Sequence, residues 1–71
     1  MTKTQYMPGE RLRELRGSRT MCDVATAIGI SQSALSMYET NQRTPSPSVM
    51  MDIADYYGVS VGWLFFDEHI T

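Results

Sequence analysis

A chain of 71 residues, 42% of them apolar, predicts one small domain whose single core leaves only ~3–5 kcal/mol of net stability. One cysteine and one histidine exclude an internal disulfide and a metal cluster, and the sequence has no run of about 20 apolar residues that would span a membrane. The net charge of −2 argues against nucleic-acid binding. The charge is uneven, however: residues 1–43 hold all six basic residues and carry +2, whereas residues 44–71 carry −4. Such an asymmetry can mark one face for an anionic partner.

The N-terminal part of the sequence predicts an arm followed by a helix. Residues 1–7 follow no periodic pattern and are predicted to form a flexible arm. A first helix starts at Pro8, because proline lacks the N–H that a helix leaves unpaired in its first turn. Leu12 and Leu15 lie on one side of this helix, and Gly17 ends it.

Two short helices separated by a glycine turn are predicted next. Thr20 is typical of a helix N-cap, and the second helix is predicted over about residues 21–28. Gly29 ends this helix, since glycine adopts the left-handed conformation without steric cost. Ser31 then caps a third helix that is predicted to run to about Thr40.

The C-terminal half is predicted to contain two further helices. A loop leads to a fourth helix, capped by Ser46 or Ser48, in which apolar residues recur at helical spacing through Tyr57. A fifth, short helix starts at Ser60.

The predicted fold class is therefore all-α, with five short helices joined by short connections. No alternation of apolar and polar residues typical of β-strands occurs in the sequence. The domain is predicted over residues 8–66, between the arm and a C-terminal tail over residues 67–71.

A set of spacings around the glycine turn favours two helices that cross at a steep angle. Ala25 is small where the next helix passes over it, Gly29 reverses the chain, and Ile30 fills the wedge between the helices. The apolar residues predicted to fill the shared core are Val24, Ile28, Leu35 and Tyr38. This arrangement is typical of a helix-turn-helix, whose second helix enters the major groove of DNA.

The chain resembles the phage-repressor and Cro-like helix-turn-helix proteins, the xenobiotic-response-element (XRE) class. The resemblance covers about residues 9–66. It is carried by LRELR in the first helix, VATAIGISQSALSMYE in the helix-turn-helix, NQRTPS in the following loop and MMDIADYYGVSVGWLF at the end. The resemblance implies a five-helix lambda-repressor-like fold, sequence-specific binding to a double-stranded DNA operator, and a homodimer.

The third helix is predicted to leave an uncharged polar face outside the core. A solvated helix face would normally carry Lys, Glu or Arg, whereas the four residues on this arc are Gln32, Ser33, Ser36 and Met37. Glutamine can form two hydrogen bonds with adenine, serine can donate or accept, and a methionine tip can contact a thymine methyl. These four residues are therefore predicted to read base edges, and the resemblance implies the same positions.

Contacts with DNA phosphates are expected from groups around this face. Arg43 and Asn41 lie in the loop after the third helix, which in the resembled family lies against the DNA backbone. The other candidates are Met21, Ser31, Arg11, Arg13 and Arg19. The family commonly has a phosphate-holding glutamine where Met21 stands, so only the backbone N–H groups of the helix start remain there. The arginines of the first helix and its exit are equally compatible with a solvated surface.

Two further sets of residues are assigned structural roles. The resemblance implies that Arg16, the last arginine of the first helix, forms a structural ion pair with Glu39 at the end of the third. Tyr56, Trp63 and Phe66 remain after the core positions are assigned, and they are predicted to form a homodimer interface. Alternatively, Trp63 and Phe66 cap the thin core of a monomer.

The predicted function is transcriptional regulation, most simply repression, in the cytoplasm of a prokaryote at its nucleoid or on phage DNA. A chain of 71 residues leaves no room for an effector domain. Regulation is therefore expected to come from concentration, from competition with another repressor, or from a regulatory partner protein.

The alternative function is a protein-interaction module of the same fold, an antitoxin or antirepressor partner that uses its aromatic C-terminal surface. The net acidity and Met21 favour this alternative. An enzyme is not expected, because the sequence has no nucleophile–base pair, paired carboxylates, glycine-rich phosphate loop or metal-ligand spacing. No catalytic residue, cofactor, metal site or membrane partner is predicted.

Overall fold

The computed structural model describes residues 6–67, which form five α-helices. They are α1 (Gly9–Arg16), α2 (Met21–Ile28), α3 (Gln32–Glu39), α4 (Pro47–Tyr57) and α5 (Val61–Phe66). The described residues contain no β-strand, and the predicted all-α fold with five helices is confirmed. None of these helices is both long enough and apolar enough to cross a membrane. Most of the predicted arm (residues 1–5) and of the predicted tail (residues 68–71) lies outside the described residues.

The helices are delimited by local capping interactions, which matters because helices of six to eleven residues are marginal by themselves. Four helices begin at a hydroxyl side chain that accepts a hydrogen bond from the backbone N–H three residues later. These caps are Thr20, Ser31, Ser46 and Ser60. Of the two serines predicted as candidates for α4, Ser46 is the cap, and α3 ends at Glu39, one residue before Thr40.

The core consists of two clusters that meet at the turn between α2 and α3. The larger cluster draws on α1, α3, α4 and α5 and contains Leu12, Tyr38, Met50, Ile53, Leu64 and Phe65. The smaller cluster joins α2 to α3 and contains Val24, Ala25 and Leu35. Ile28 and Ile30 pack against both clusters, so the turn connects the two parts of the core.

Helix α1 holds the C-terminal end of α3 at Glu39, the one charged residue that is buried among the described residues. Arg16 donates to both carboxylate oxygens, with Nε 2.8 Å from Oε2 and Nη2 3.0 Å from Oε1. The ion pair implied by the family resemblance is thus present in the structure. The hydrogen bonds with Glu39 raise the pKa of Arg16 above its usual value. Arg13, one turn earlier, donates through Nη1 to the main-chain carbonyl of Glu39.

The N-terminal end of α1 also contacts the C-terminal end of α3, through Gly9. Its N–H donates to Oδ1 of Asn41 at 2.9 Å. A Cβ atom at this position would collide with the main-chain carbonyl of Glu39 and with the Asn41 side chain. The absence of a side chain at Gly9 is therefore what lets α1 lie directly against the end of α3.

We predict that Arg16→Ala destabilises the protein by ~3–5 kcal/mol, because it leaves the Glu39 carboxylate buried without its partner. A loss of that size equals most of the net stability expected for a domain of this length. The measurement is urea unfolding followed by circular dichroism. Glu14→Ala, an exposed change on the same helix, is the control and should stay within ~0.5 kcal/mol of the parent. A loss below about 1 kcal/mol for Arg16→Ala would show that the pair is not a main support of the fold.

Candidate nucleic-acid interface

The turn between α2 and α3 has the geometry that the sequence predicted. Gly29 adopts the left-handed conformation with φ 93° and ψ 30°. The N–H groups of Gly29 and Ile30 both donate to the carbonyl of Ala25, at 2.8 and 3.0 Å. Ala25 is 2% exposed and packs with Leu35 of α3. The small side chain at Ala25 and the glycine turn therefore set α3 across α2.

The outward side of α3 forms an open concave surface. Leu35 and Tyr38 turn into the two core clusters, which leaves the remaining arc facing outward. Six residues line the concave surface, and we call them the α3 surface: Met21, Gln32, Ser33, Ser36, Met37 and Gln42. All four predicted base-reading residues belong to it, and none of the six side chains carries a charge.

Met21 lies at the side of this surface, at the start of α2. It is half-buried and packs against the smaller core cluster. It was predicted as a phosphate-contacting position, and its thioether side chain contributes an apolar wall to the α3 surface. At this helix start the Thr20 hydroxyl accepts from the N–H of Asp23, and the other backbone N–H groups of the first turn point toward the N-terminal end of α2.

Gln42 is the member of the α3 surface that sequence analysis did not assign. The local signal for it was Asn41, which adopts the left-handed conformation at φ 62° just past the end of α3. The N–H of Asn41 donates to the carbonyl of Tyr38 at 3.3 Å, and the N–H of Gln42 donates to that of Met37 at 2.9 Å. These two bonds are those of a Schellman motif, which turns the chain back over the last turn of a helix. The loop therefore returns Gln42 to the outward side of α3.

Among the predicted phosphate-contacting residues, Arg43 and Ser31 are exposed at the two ends of α3. Ser31 uses its hydroxyl oxygen as the N-cap acceptor for the N–H of Ala34 at 3.0 Å. Asn41 uses Oδ1 to accept from Gly9. Arg43 follows Gln42 in the loop, and it lines a separate concavity with Tyr6, Met7 and Pro8 instead of the α3 surface.

The other three arginines make contacts within their own chain. Arg11 donates to the carbonyl of Trp63, lies 4.3 Å from the centroid of that ring, and forms an ion pair with Asp67 at 3.1 Å. Arg19 donates to the carbonyl of Leu15 at 2.7 Å and to the Tyr56 hydroxyl at 3.1 Å. Arg13 donates to the Glu39 carbonyl, as described above. These three guanidinium groups help to join α1 to α3, α4 and α5.

The three residues predicted at a dimer interface lie in different surroundings. Tyr56 is half-buried against Tyr57, with the ring centroids 5.0 Å apart and the planes at 64°. Trp63 is half-buried and packs against the larger core cluster beneath Arg11. Phe66 is 58% exposed.

Tyr57 marks a poorly solvated region between α4 and the end of α3. Its hydroxyl is buried and makes no hydrogen bond among residues 6–67. Burial, together with the nearby negative charge of Glu39, raises the pKa of Tyr57. Tyr57 therefore stays neutral at physiological pH.

Residues 6–67 hold no group of three or more His, Cys, Asp or Glu side chains placed to bind a metal ion. Cys22 is an exposed thiol on the first turn of α2.

Comparison with known proteins agrees with this architecture. The sequence model of the helix-turn-helix family matches residues 10–64, well over half of the chain. Among solved structures, the chain is similar to the P22 c2 repressor protein, crystallised in complex with synthetic operator 9T in the presence of Tl+. The TM-score is 0.82 over 90% of this chain and 100% of that chain, at 20% sequence identity. Comparison with curated proteins gives no significant match.

These findings confirm the predicted lambda-repressor-like fold and the resemblance on which it was based. The chain belongs to the helix-turn-helix family, in its phage-repressor (XRE) class, and is a DNA-binding transcription regulator of that class.

Proposed function

We propose that the protein is a repressor that binds a double-stranded DNA operator with α3 in the major groove. The observation that carries this proposal is the α3 surface, where four predicted base-reading residues come together on one open, uncharged face. The P22 c2 repressor, similar in fold, was solved with a synthetic operator, which supports duplex DNA as the ligand of this face. Such a protein acts in the cytoplasm of a prokaryote, on nucleoid or phage DNA.

The composition of the α3 surface suits base reading better than general attraction to DNA. Gln32 can pair with adenine through two hydrogen bonds, and the hydroxyls of Ser33 and Ser36 can donate or accept. The thioether of Met37 offers an apolar contact for a thymine methyl. Base contacts of this kind discriminate between sequences, whereas contacts with phosphates position the protein and carry no sequence information.

We assign the phosphate contacts first to Arg43, which is exposed in the loop that follows α3. The backbone N–H groups at the starts of α2 and α3, near Met21 and Ser31, are the next candidates, because a helix start attracts anions. Asn41 can donate through its amide nitrogen while Oδ1 holds Gly9. Arg11 and Arg19 already donate to groups of their own chain, so we expect smaller contributions from them.

The experiment that tests the function is selection of bound duplexes from a random pool. We expect a palindromic site with half-sites about one helical turn apart, because a two-fold symmetric dimer presents two α3 helices at that spacing. Gln32→Ala and Ser36→Ala should each weaken the selected site by ~1–3 kcal/mol and leave binding to unrelated DNA unchanged. Arg43→Ala should weaken all duplexes alike and reduce the slope of log K against log salt by about 0.9.

The control for this series is Ser48→Ala, an exposed change on α4 that should leave every duplex bound as before. If no sequence is enriched, or no duplex is bound at low salt, DNA reading by α3 is wrong. The protein would then be the antitoxin-type or antirepressor-type interaction module, which its net charge of −2 and exposed Phe66 also fit.

A variant of Arg13 can distinguish a role in positioning α3 from a direct contact with phosphate. It was predicted to contact phosphate, and its hydrogen bond with the Glu39 carbonyl supports a role in holding the end of α3. We therefore expect Arg13→Met to weaken the selected site while the salt slope keeps its parent value. The measurement is binding titration at several salt concentrations, with Arg43→Ala as the reference for a lost phosphate contact. A slope reduced as much as in Arg43→Ala would assign Arg13 to the DNA backbone instead.

The homodimer is proposed to form through α5 and the loop before it, with Tyr56, Trp63 and Phe66 at the interface. The exposure of Phe66 supports this, because a large apolar side chain at a helix end gains from being covered. We expect Phe66→Ser to reduce dimerisation in sedimentation equilibrium. Met51→Ser, which removes an equally exposed apolar side chain from α4, should have no effect on the mass. A mass of one chain for the parent protein at high concentration without DNA would exclude this dimer.

A further inference from the structure

We propose that Gln42 is a fifth base-reading residue, which selects an A·T base pair beyond those contacted by α3. This inference rests on the proposed DNA-binding function and extends it to a residue of the loop. Gln42 lines the same open surface as Gln32, Ser33, Ser36 and Met37, although it lies outside the helix.

The backbone of Gln42 is fixed on α3 rather than free to move with the loop. Its N–H donates to the carbonyl of Met37, and Asn41 before it is held by the carbonyl of Tyr38. The side chain of Asn41 is also held, because Oδ1 accepts from the N–H of Gly9. Gln42 is thus attached to the same rigid unit as the helix, which is what a base contact requires if it is to discriminate.

The position of Gln42 extends the reach of the α3 surface along the groove. From Gln32 to Met37 the helix rises about 7.5 Å, at 1.5 Å per residue. That length covers about two base-pair steps of 3.4 Å. Gln42 lies past the opposite end of α3 from Gln32, so its amide is placed to meet the next base pair along the groove.

The chemistry of Gln42 differs from that of its neighbour Arg43. A neutral amide adds nothing to the attraction between the protein and phosphates, whereas it can pair with adenine N6 and N7 through two hydrogen bonds. The two consecutive loop residues therefore have different roles. Gln42 selects a base pair, and Arg43 binds the phosphate backbone of DNA of any sequence.

The test compares selections from random duplexes for the parent protein, Gln42→Ala and the control Thr44→Ala, an exposed residue of the same loop outside the α3 surface. We expect Gln42→Ala to lose the preference for A·T at one position in each half-site and to keep the preference at all others. It should bind the parent site about 5- to 150-fold more weakly, with unchanged binding to unrelated DNA and an unchanged salt slope. Thr44→Ala should select the parent site.

A modified duplex checks the assignment independently of the variant. Replacing the adenine at that position with 7-deazaadenine removes the N7 acceptor, so it should weaken the parent protein and leave Gln42→Ala unaffected. Unchanged base preferences for Gln42→Ala, or weaker binding to all duplexes with a smaller salt slope, would overturn the inference while the proposed function stands. A parent protein that enriches no sequence would overturn both.

Discussion

The burial of one carboxylate at the end of α3 is the constraint on which the rest of this structure depends. Glu39 has no exposed surface, and an ionised carboxylate without a partner in such a place costs several kcal/mol. Arg16 supplies the partner with two hydrogen bonds, and Arg13 occupies the main-chain carbonyl of the same residue. Since both arginines come from α1, that helix can take only one position relative to α3. Because the buried charge of Glu39 must be paired, this contact fixes the orientation of α3 relative to α1.

The same contact extends into the loop that follows α3. Gly9 lies against the Glu39 carbonyl because it has no side chain, and its N–H holds Asn41 in place. Asn41 in turn reverses the chain with a left-handed backbone, which returns Gln42 to the outward side of α3. The buried Glu39 and the outward-facing Gln42 are thus only three positions apart in the chain. A disturbance of α1 would consequently alter the α3 surface, although none of the six residues of that surface belongs to α1.

The sequence predicted features whose determinants are local, whereas the tertiary Arg16–Glu39 pair was expected only from the family resemblance and other tertiary contacts were not predicted. Ser31 caps α3 and Gly29 turns left-handed because each needs only its neighbours in the chain. Helical periodicity, which is also a local property, predicted which residues of α3 face outward. The partner of Arg11, in contrast, is Trp63, 52 residues away, and no spacing in the sequence specifies that contact. Gln42 lies between these cases, since the left-handed turn at Asn41 is local, whereas the surface to which it returns Gln42 is formed by packed helices.

The internal use of four of the five arginines also reconciles a net charge of −2 with DNA binding. The guanidinium groups of these four arginines are engaged with α3, α4 and α5, which leaves Arg43, exposed in the loop after α3, as the arginine available to DNA phosphates. Few phosphate contacts mean weak attraction to DNA in general, because that attraction grows with the number of phosphates neutralised. Weak general binding is an advantage for a small regulator, since unrelated sites compete for it in great excess. Discrimination then depends on hydrogen bonds and apolar contacts at the uncharged α3 surface, and a second copy of that surface in a dimer would supply the affinity that charge does not.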